Sequence, residues 1–202
     1  PLLYWLKYAG YKKVFAHAVG SSKKIIAPSN SVKDDLLMNY DIIPDKIVVV
    51  YEGVDDVFKF EARNSELETV IRKYKIQKPY VIYTGSVYPH KNIERLIQAI
   101  KKLELNLVIA GSRNVFMERI ENFTRKYGAE KFVSFLGFVP DEELAVLYGN
   151  ARAFVFPSLS EGFGLPGLEA MASGCLVVCS GIPVFREIYG GGATYFNPND
   201  VG

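Results

Sequence analysis

The sequence predicts an α/β fold built on a doubly wound parallel sheet. Two observations carry this. From Tyr80 onward, short β-rich runs alternate with amphipathic helical patterns in a nearly regular beat. Several of those runs are apolar without alternation, which suits strands covered on both faces. With 202 residues, 49% hydrophobic and 23% charged, the chain is long enough for one good core and a second partial unit.

The β runs are Tyr80 to Thr84, Asn106 to Ala110, Phe132 to Leu136, Ala153 to Phe156, Cys175 to Cys179 and Thr194 to Phe196. Helical patterns fall between them at Asn92 to Leu103, Val115 to Tyr127, Asp141 to Asn150 and Leu165 to Ala172, with Asn92 and Asp141 as N-caps. Before Tyr80 the organisation differs. Residues 1–33 hold Lys7, Lys12, Lys13, Lys23, Lys24 and Lys33 and no acid, with Leu, Tyr, Trp and Phe interleaved. That pattern predicts a basic amphipathic helix packing on a neighbouring domain, or alternatively touching a membrane surface. A strand over Lys24 to Ala27, a helix over Ser31 to Met38, a strand over Lys46 to Tyr51 and a helix over Ser65 to Tyr74 complete the list. The division expected is 1–60 for the end of one domain and its connection, 61–77 for a linker with a short helix, and 78–202 for a ligand-binding domain. Because the chain begins with Pro and stops at a turn over 198–202, a piece of a longer protein is expected.

Composition removes several function classes. The 24 Lys plus Arg against 22 Asp plus Glu leave a net charge of +2, without the broad basic field of a dedicated nucleic-acid binder. An anionic ligand must then be held locally. No apolar run reaches the ~18 residues a bilayer crossing needs, and no signal-peptide pattern is visible. Cys175 and Cys179 sit in one apolar run; on a strand they would lie ~13 Å apart on one face, beyond disulfide reach. They read as buried hydrophobes of a reducing, cytoplasmic compartment. His17 and His90 are isolated, and no Asp-x-Asp pair occurs, so a metal-free site is expected.

Ligands of doubly wound sheets sit beyond the carboxyl ends of the strands, which makes the residues after each strand the candidates. The densest cluster runs from Ser158 through Glu161, Gly162, Phe163, Gly164, Leu165, Pro166 and Gly167 to Glu169. Pro166 suits the first helical position, so the glycines lead into a helix N-terminus whose free N–H groups favour a phosphate. Glu169 in the first turn leans back toward that end, and Glu161 lies on the loop ahead of it, so two acceptors for sugar hydroxyls flank the phosphate site. A second cluster, Gly85 to Asn92, brings Lys91 to the same sheet edge, where its ammonium can oppose a diphosphate. Gly111, Ser112, Gly137, Phe138 and Val139 follow other strands. A competing reading stays open. Gly162, Gly164 and Gly167 match G-x-G-x-x-G, with Glu187 twenty residues beyond, as in a dinucleotide fold. Against it, the motif follows the fourth strand of the repeat rather than the first.

At these residues the sequence resembles the retaining glycosyltransferases that use nucleoside diphosphate sugars and are built from two facing Rossmann-like domains, the GT-B architecture of family 4. The signature is a pair of glutamates eight positions apart, here Glu161 and Glu169 around Gly-Phe-Gly-Leu-Pro. Ile26-Ala-Pro-Ser29, Val50-Tyr-Glu-Gly53-Val-Asp55, Phe135-Leu-Gly-Phe-Val139 and Glu169-Ala-Met-Ala-Ser-Gly174 also match, in order, over almost the whole chain. The resemblance implies that Lys91 neutralises the diphosphate, and that the amides around Phe163, Gly164 and Leu165 bind its distal phosphate and the sugar. It further implies that Glu161 contacts the transferred sugar, Glu169 the ribose, and Phe138 and Val139 the base, with Lys91 and Glu161 in the catalytic roles. Gly85, Ser86, Gly111 and Gly162 complete the donor site. Ser86 is a departure, since many relatives carry an Arg there, and His90 is the residue available to substitute. The expected partners are a GDP- or UDP-linked sugar, with no separate cofactor, and a saccharide or lipid-linked acceptor. The reaction expected is metal-independent hexose transfer, with a mannose-type sugar suggested. A binding module without turnover and a nucleotide-sugar epimerase are the alternatives.

Overall fold

A computed structural model describes residues 2–59, 64–112 and 115–200 of the chain. The expected linker thus begins at residues outside those described, and the C-terminal turn is described as far as Asp200. The chain divides into two compact units, Pro1–Glu52 and Gly53–Gly202.

In the first unit, helix α1 (Leu2–Ser21) is followed by β1 (Ile25–Ala27), α2 (Asn30–Asn39) and β2 (Ile47–Val49), with β1 and β2 paired in parallel. Ser29 caps α2, its hydroxyl accepting from the Val32 amide at 3.1 Å. Lys46 closes the other end of the unit by donating to the carbonyls of Val19 and Gly20 at 2.7 and 2.8 Å, at the C-terminus of α1. The expectation that α1 is amphipathic is not met. Trp5, Leu6, Tyr11 and Val14 point out around its whole circumference rather than along one stripe.

The second unit carries the site. After α3 (Asn64–Tyr74) come β3 (Tyr80–Thr84), α4 (Ile93–Leu103), β4 (Asn106–Ala110), α5 (Val115–Tyr127) and β5 (Val133–Gly137). The chain continues through α6 (Asp141–Asn150), β6 (Phe154–Phe156), α7 (Leu165–Ala172), β7 (Val177–Ser180), α8 (Pro183–Tyr189) and β8 (Ala193–Phe196). The six strands β3 to β8 form one parallel sheet in the order β5-β4-β3-β6-β7-β8, a Rossmann-like arrangement. The chain winds outward from β3 to β5, then returns to lay β6 against the other side of β3. That return makes the β3–β6 seam the topological switch point, where a crevice opens at the carboxyl ends. Both faces are covered, as the unalternating strands require: all of β3 is buried, and Ile97 and Ile100 from α4 and Leu147 and Tyr148 from α6 pack in the same core.

Several sequence expectations are corrected. Asn92 is not a side-chain N-cap: it stands in the left-handed region at φ 61°, and its amide bonds elsewhere. Pro140 precedes α6 as its cap, and Asp141 falls in the first turn, where its charge still favours the helix dipole. Cys175 precedes β7 rather than lying on it, although both thiols are buried and unpaired. Pro166 is the second residue of α7, not the first. Helix α8 is an element that the apolar pattern does not predict. Within this unit α3 is no free connector: the Lys73 ammonium and the Tyr74 hydroxyl both donate to Glu143 of α6, at 2.6 and 2.5 Å.

Candidate functional site

Lys91 lies on the segment leaving β3 and Glu161 on the segment leaving β6, so the switch point sets them face to face. The ammonium donates to Glu161 Oε1 at 2.6 Å, with the side chains only 15% and 12% exposed, and it lies 5.7 Å from the centroid of the Phe156 ring. The same Oε1 accepts from the Ser158 hydroxyl at 2.7 Å. The two loops are stitched together independently of that pair. The Leu159 amide donates to the His90 carbonyl at 2.7 Å, and Asn92 Nδ2 donates to the carbonyls of Pro157 and Pro198 at 3.2 and 2.9 Å. Asn92 reaches both carbonyls because its left-handed backbone turns the side chain away from α4.

The loop after Glu161 enters α7 through Gly164 at φ 103°, a conformation that favours glycine. A methyl there would run into the rings of Tyr189 and Phe185. Tyr189 instead donates its hydroxyl to the Gly164 carbonyl, which fixes the entry to the helix. Phe163 is buried beneath this turn and Gly162 is exposed at its crest, with Leu165 half-buried as the first helical residue. Gly167 of the G-x-G-x-x-G match backs onto Tyr189, and Glu187 belongs to α8 rather than to the end of a strand.

Beside α7 a cleft of about 300 Å³ runs across the ends of β3, β4 and β5, lined by Gly85, Ser86, Gly111, Phe138, Val139 and Glu169 among others. The loops lie close at its floor. The Gly85 amide donates to the Ala110 carbonyl and the Gly111 amide to the Gly137 carbonyl, each at 2.9 Å. Any Cβ at Gly111 would collide with the Gly85 carbonyl. Phe138 is 74% exposed at the rim while Val139 is buried. Glu169 is the fifth residue of α7, so it stands in the second turn and not in the first as expected; it is half-buried, and its carboxyl is held above the usual glutamate range, first by burial and then by the charge of Asp141. Beneath it the buried Tyr148 hydroxyl lies 3.5 Å from Glu169 Oε2 and 2.5 Å from Thr84 Oγ1. The cleft thus takes in Gly85, Ser86, Gly111, Phe138, Val139 and Glu169, whereas Lys91, Glu161 and the Gly162 to Leu165 turn form a separate cluster. His90 is exposed and stacks on Tyr88, with ring centroids 6.0 Å apart.

Five side chains brace the site in roles that the sequence does not assign them: Ser158 and Asn92, which lie in the two candidate clusters, and Tyr148, Thr84 and Tyr189, which lie outside them. For Ser158 a signal exists, a hydroxyl three residues before the first glutamate. The others act across 21 to 106 positions, where spacing carries no information. Among the described residues no group of three or more His, Cys, Asp or Glu could hold a metal ion, and no helix is long and apolar enough to cross a membrane.

Residues 67–201 match the family model described as Glycosyl transferases group 1, and residues 2–58 match Glycosyltransferase Family 4. The chain is 33% identical over 201 residues to the O-antigen chain mannosyltransferase B of Escherichia coli, covering 94% of this chain and 51% of that protein. It is 35% identical over 185 residues to the O-antigen chain mannosyltransferase RfbU of Salmonella typhimurium, covering 91% and 49%. Among solved structures it is similar to a glycosyltransferase from Rickettsia africae, with a TM-score of 0.79 and 26% identity over 93% of this chain and 54% of that one. The chain therefore spans about half the length of the curated relatives it matches.

Proposed function

The chain belongs to the glycosyl transferases group 1 family, and from that premise we propose a reaction for the protein of which it forms part. It moves a hexose, of mannose type, from a GDP- or UDP-linked sugar to a saccharide or lipid-linked acceptor, with retention and without a metal. Residues 78–202 bind the donor, and residues 1–60 belong to the acceptor domain and its connection. The observation that carries this reading is the Lys91–Glu161 pair at the switch point, met at 2.6 Å beside the opening of α7. The mannose-type sugar rests on the two O-antigen mannosyltransferases among the relatives. A cytoplasmic setting fits two buried cysteines that form no disulfide.

The chemistry follows from charge. Breaking the bond between the anomeric carbon and the phosphate oxygen leaves an oxocarbenium-like sugar and sends an electron pair onto the departing diphosphate. Lys91 and the amides opening α7 stabilise that charge as it develops. The acceptor oxygen then bonds to the anomeric carbon, and its proton leaves with the diphosphate. Glu161 orients the transferred sugar through its hydroxyls. Glu169 accepts from the ribose, and Phe138 at the rim covers the base.

The dinucleotide reading is disfavoured because the glycine motif follows β6 and not the first strand of the sheet, and because Gly167 packs on Tyr189. Titration of the full-length protein with GDP, UDP and NAD, followed by assay of transfer from the matching sugar nucleotides, tests the proposal. Binding of GDP or UDP with turnover supports it. Binding of NAD alone rejects it, and diphosphate binding without turnover on any donor points to the binding module instead.

A further inference from the structure

We infer that Ser158 is a positioning residue for Glu161, an inference that rests on Glu161 contacting the transferred sugar. Ser158 follows β6 by two residues and is fully buried. Its hydroxyl donates to Glu161 Oε1 at 2.7 Å, the same oxygen that takes the Lys91 ammonium at 2.6 Å. Among the described residues Oε2 takes no hydrogen bond, so it is the oxygen left to face a sugar hydroxyl.

The two donors to Oε1 differ in how firmly they are held. Lys91 is a long, rotatable cation, and an approaching diphosphate competes with Glu161 for its charge. Ser158 is short, and its backbone is pinned from both sides. The preceding Pro157 carbonyl accepts from Asn92, and the following Leu159 amide donates to the His90 carbonyl. When the ammonium turns toward phosphate, the Ser158 hydroxyl is the group that still fixes the carboxylate and aims Oε2. A carboxylate that loses both is free to rotate, and misplaced catalytic groups lose rate steeply.

The test uses the full-length protein with a sugar nucleotide that it turns over. S158A lowers kcat by about 10- to 100-fold, the loss expected for a hydrogen bond to a charged group. It leaves affinity for the free nucleoside diphosphate within about threefold, because Lys91 and Glu169 are untouched. S158T, which keeps the hydroxyl, restores most of the rate. In an E161A background S158A adds no further loss, as required of a residue that acts through Glu161. The proposal is overturned by S158A turning over like the parent, by an equal S158A loss with or without Glu161, or by diphosphate affinity falling in step with kcat. The last outcome marks a merely structural role. Should S158T fail to fold, the S158A comparison and the double variant still decide. If the parent protein neither binds a nucleoside diphosphate nor turns over any sugar nucleotide, the reading of the whole site falls, and that failure shows without any variant.

Discussion

Lys91 and Glu161 restrain each other, and neither can be removed without cost to the other. Lys91→Ala deletes the one cation of the pair and leaves Glu161, 12% exposed, with only the Ser158 hydroxyl. Nucleoside diphosphate affinity should fall roughly 30- to 1000-fold, in line with the ~2–4 kcal/mol that one oriented charge partner supplies. The melting midpoint should fall as well, because a largely buried carboxylate has lost its counter-charge. Lys91→Ala with Glu161→Ala should recover melting temperature but not affinity. Calorimetric titration and thermal unfolding of both variants check this; recovery of both quantities together contradicts the role given to Lys91. Glu169 poses the opposite trade. Its folded carboxyl value lies above the unfolded one, so the stability it contributes is present below the ordinary glutamate range and is lost as pH rises through the raised value. At neutral pH the ionised group is a liability to the fold, and Glu169→Gln should stabilise by on the order of 0.5 kcal/mol after allowance for its partial exposure. If Glu169 accepts from the ribose as proposed, nucleoside affinity needs the ionised group. It should decline on acidification at a higher pH than for an ordinary glutamate, and the decline should be absent in Glu169→Gln.

At the scale of elements, the opening of α7 depends on α8, a seven-residue helix too short to display a repeating apolar period in the sequence. Tyr189→Phe keeps the ring but removes the donor to the buried Gly164 carbonyl. The expected cost is about 1–3 kcal/mol of stability, with weaker phosphate binding because the helix entry loosens. Strand identities were easier to read: β3 and β4 have the limits their apolar runs predict, since a strand buried on both faces needs little beyond local composition. An Asn before a helix looks like a cap, yet the Asn92 amide serves the distant carbonyls of Pro157 and Pro198. The tie between α3 and α6 was likewise invisible, because Lys73 and Glu143 stand 70 positions apart. The Glu143 carboxyl is held below its usual value by hydrogen bonds from Lys73 and then Tyr74. Its stabilisation is therefore present above the ordinary glutamate value and is lost as pH falls through the depressed one. Because the Lys73 side chain is 52% exposed, Glu143→Gln should cost less than about 1 kcal/mol at neutral pH. Acid titration of the melting midpoint should show a shallower fall for the variant.

For the whole molecule, the near balance of charge bears on how the proposed diphosphate would be held. A net charge of +2 over 202 residues gives this chain no broad basic field, so on the proposed reading the switch point supplies the attraction locally. There the sheet topology brings together residues from the ends of β3 and β6, some 70 positions apart. The order of motifs made those residues candidates, but only the crossing from β5 back to β6 makes them neighbours. Lys91 is 15% exposed and lies against Phe156, so salt screens it less than a surface lysine. On the proposed reading, positive charge fixed in the site and the aligned amides of α7 take the part a divalent ion would otherwise play for the leaving group. Transfer by the full-length protein should therefore persist in excess EDTA, at a rate within about twofold of that with added Mg²⁺. Raising salt from ~0.1 to ~0.5 M should weaken diphosphate binding by less than about tenfold, the response of a single partly shielded ion pair. A rate abolished by the chelator and restored by Mg²⁺ would show that Lys91 and the helix opening are insufficient for the departing diphosphate.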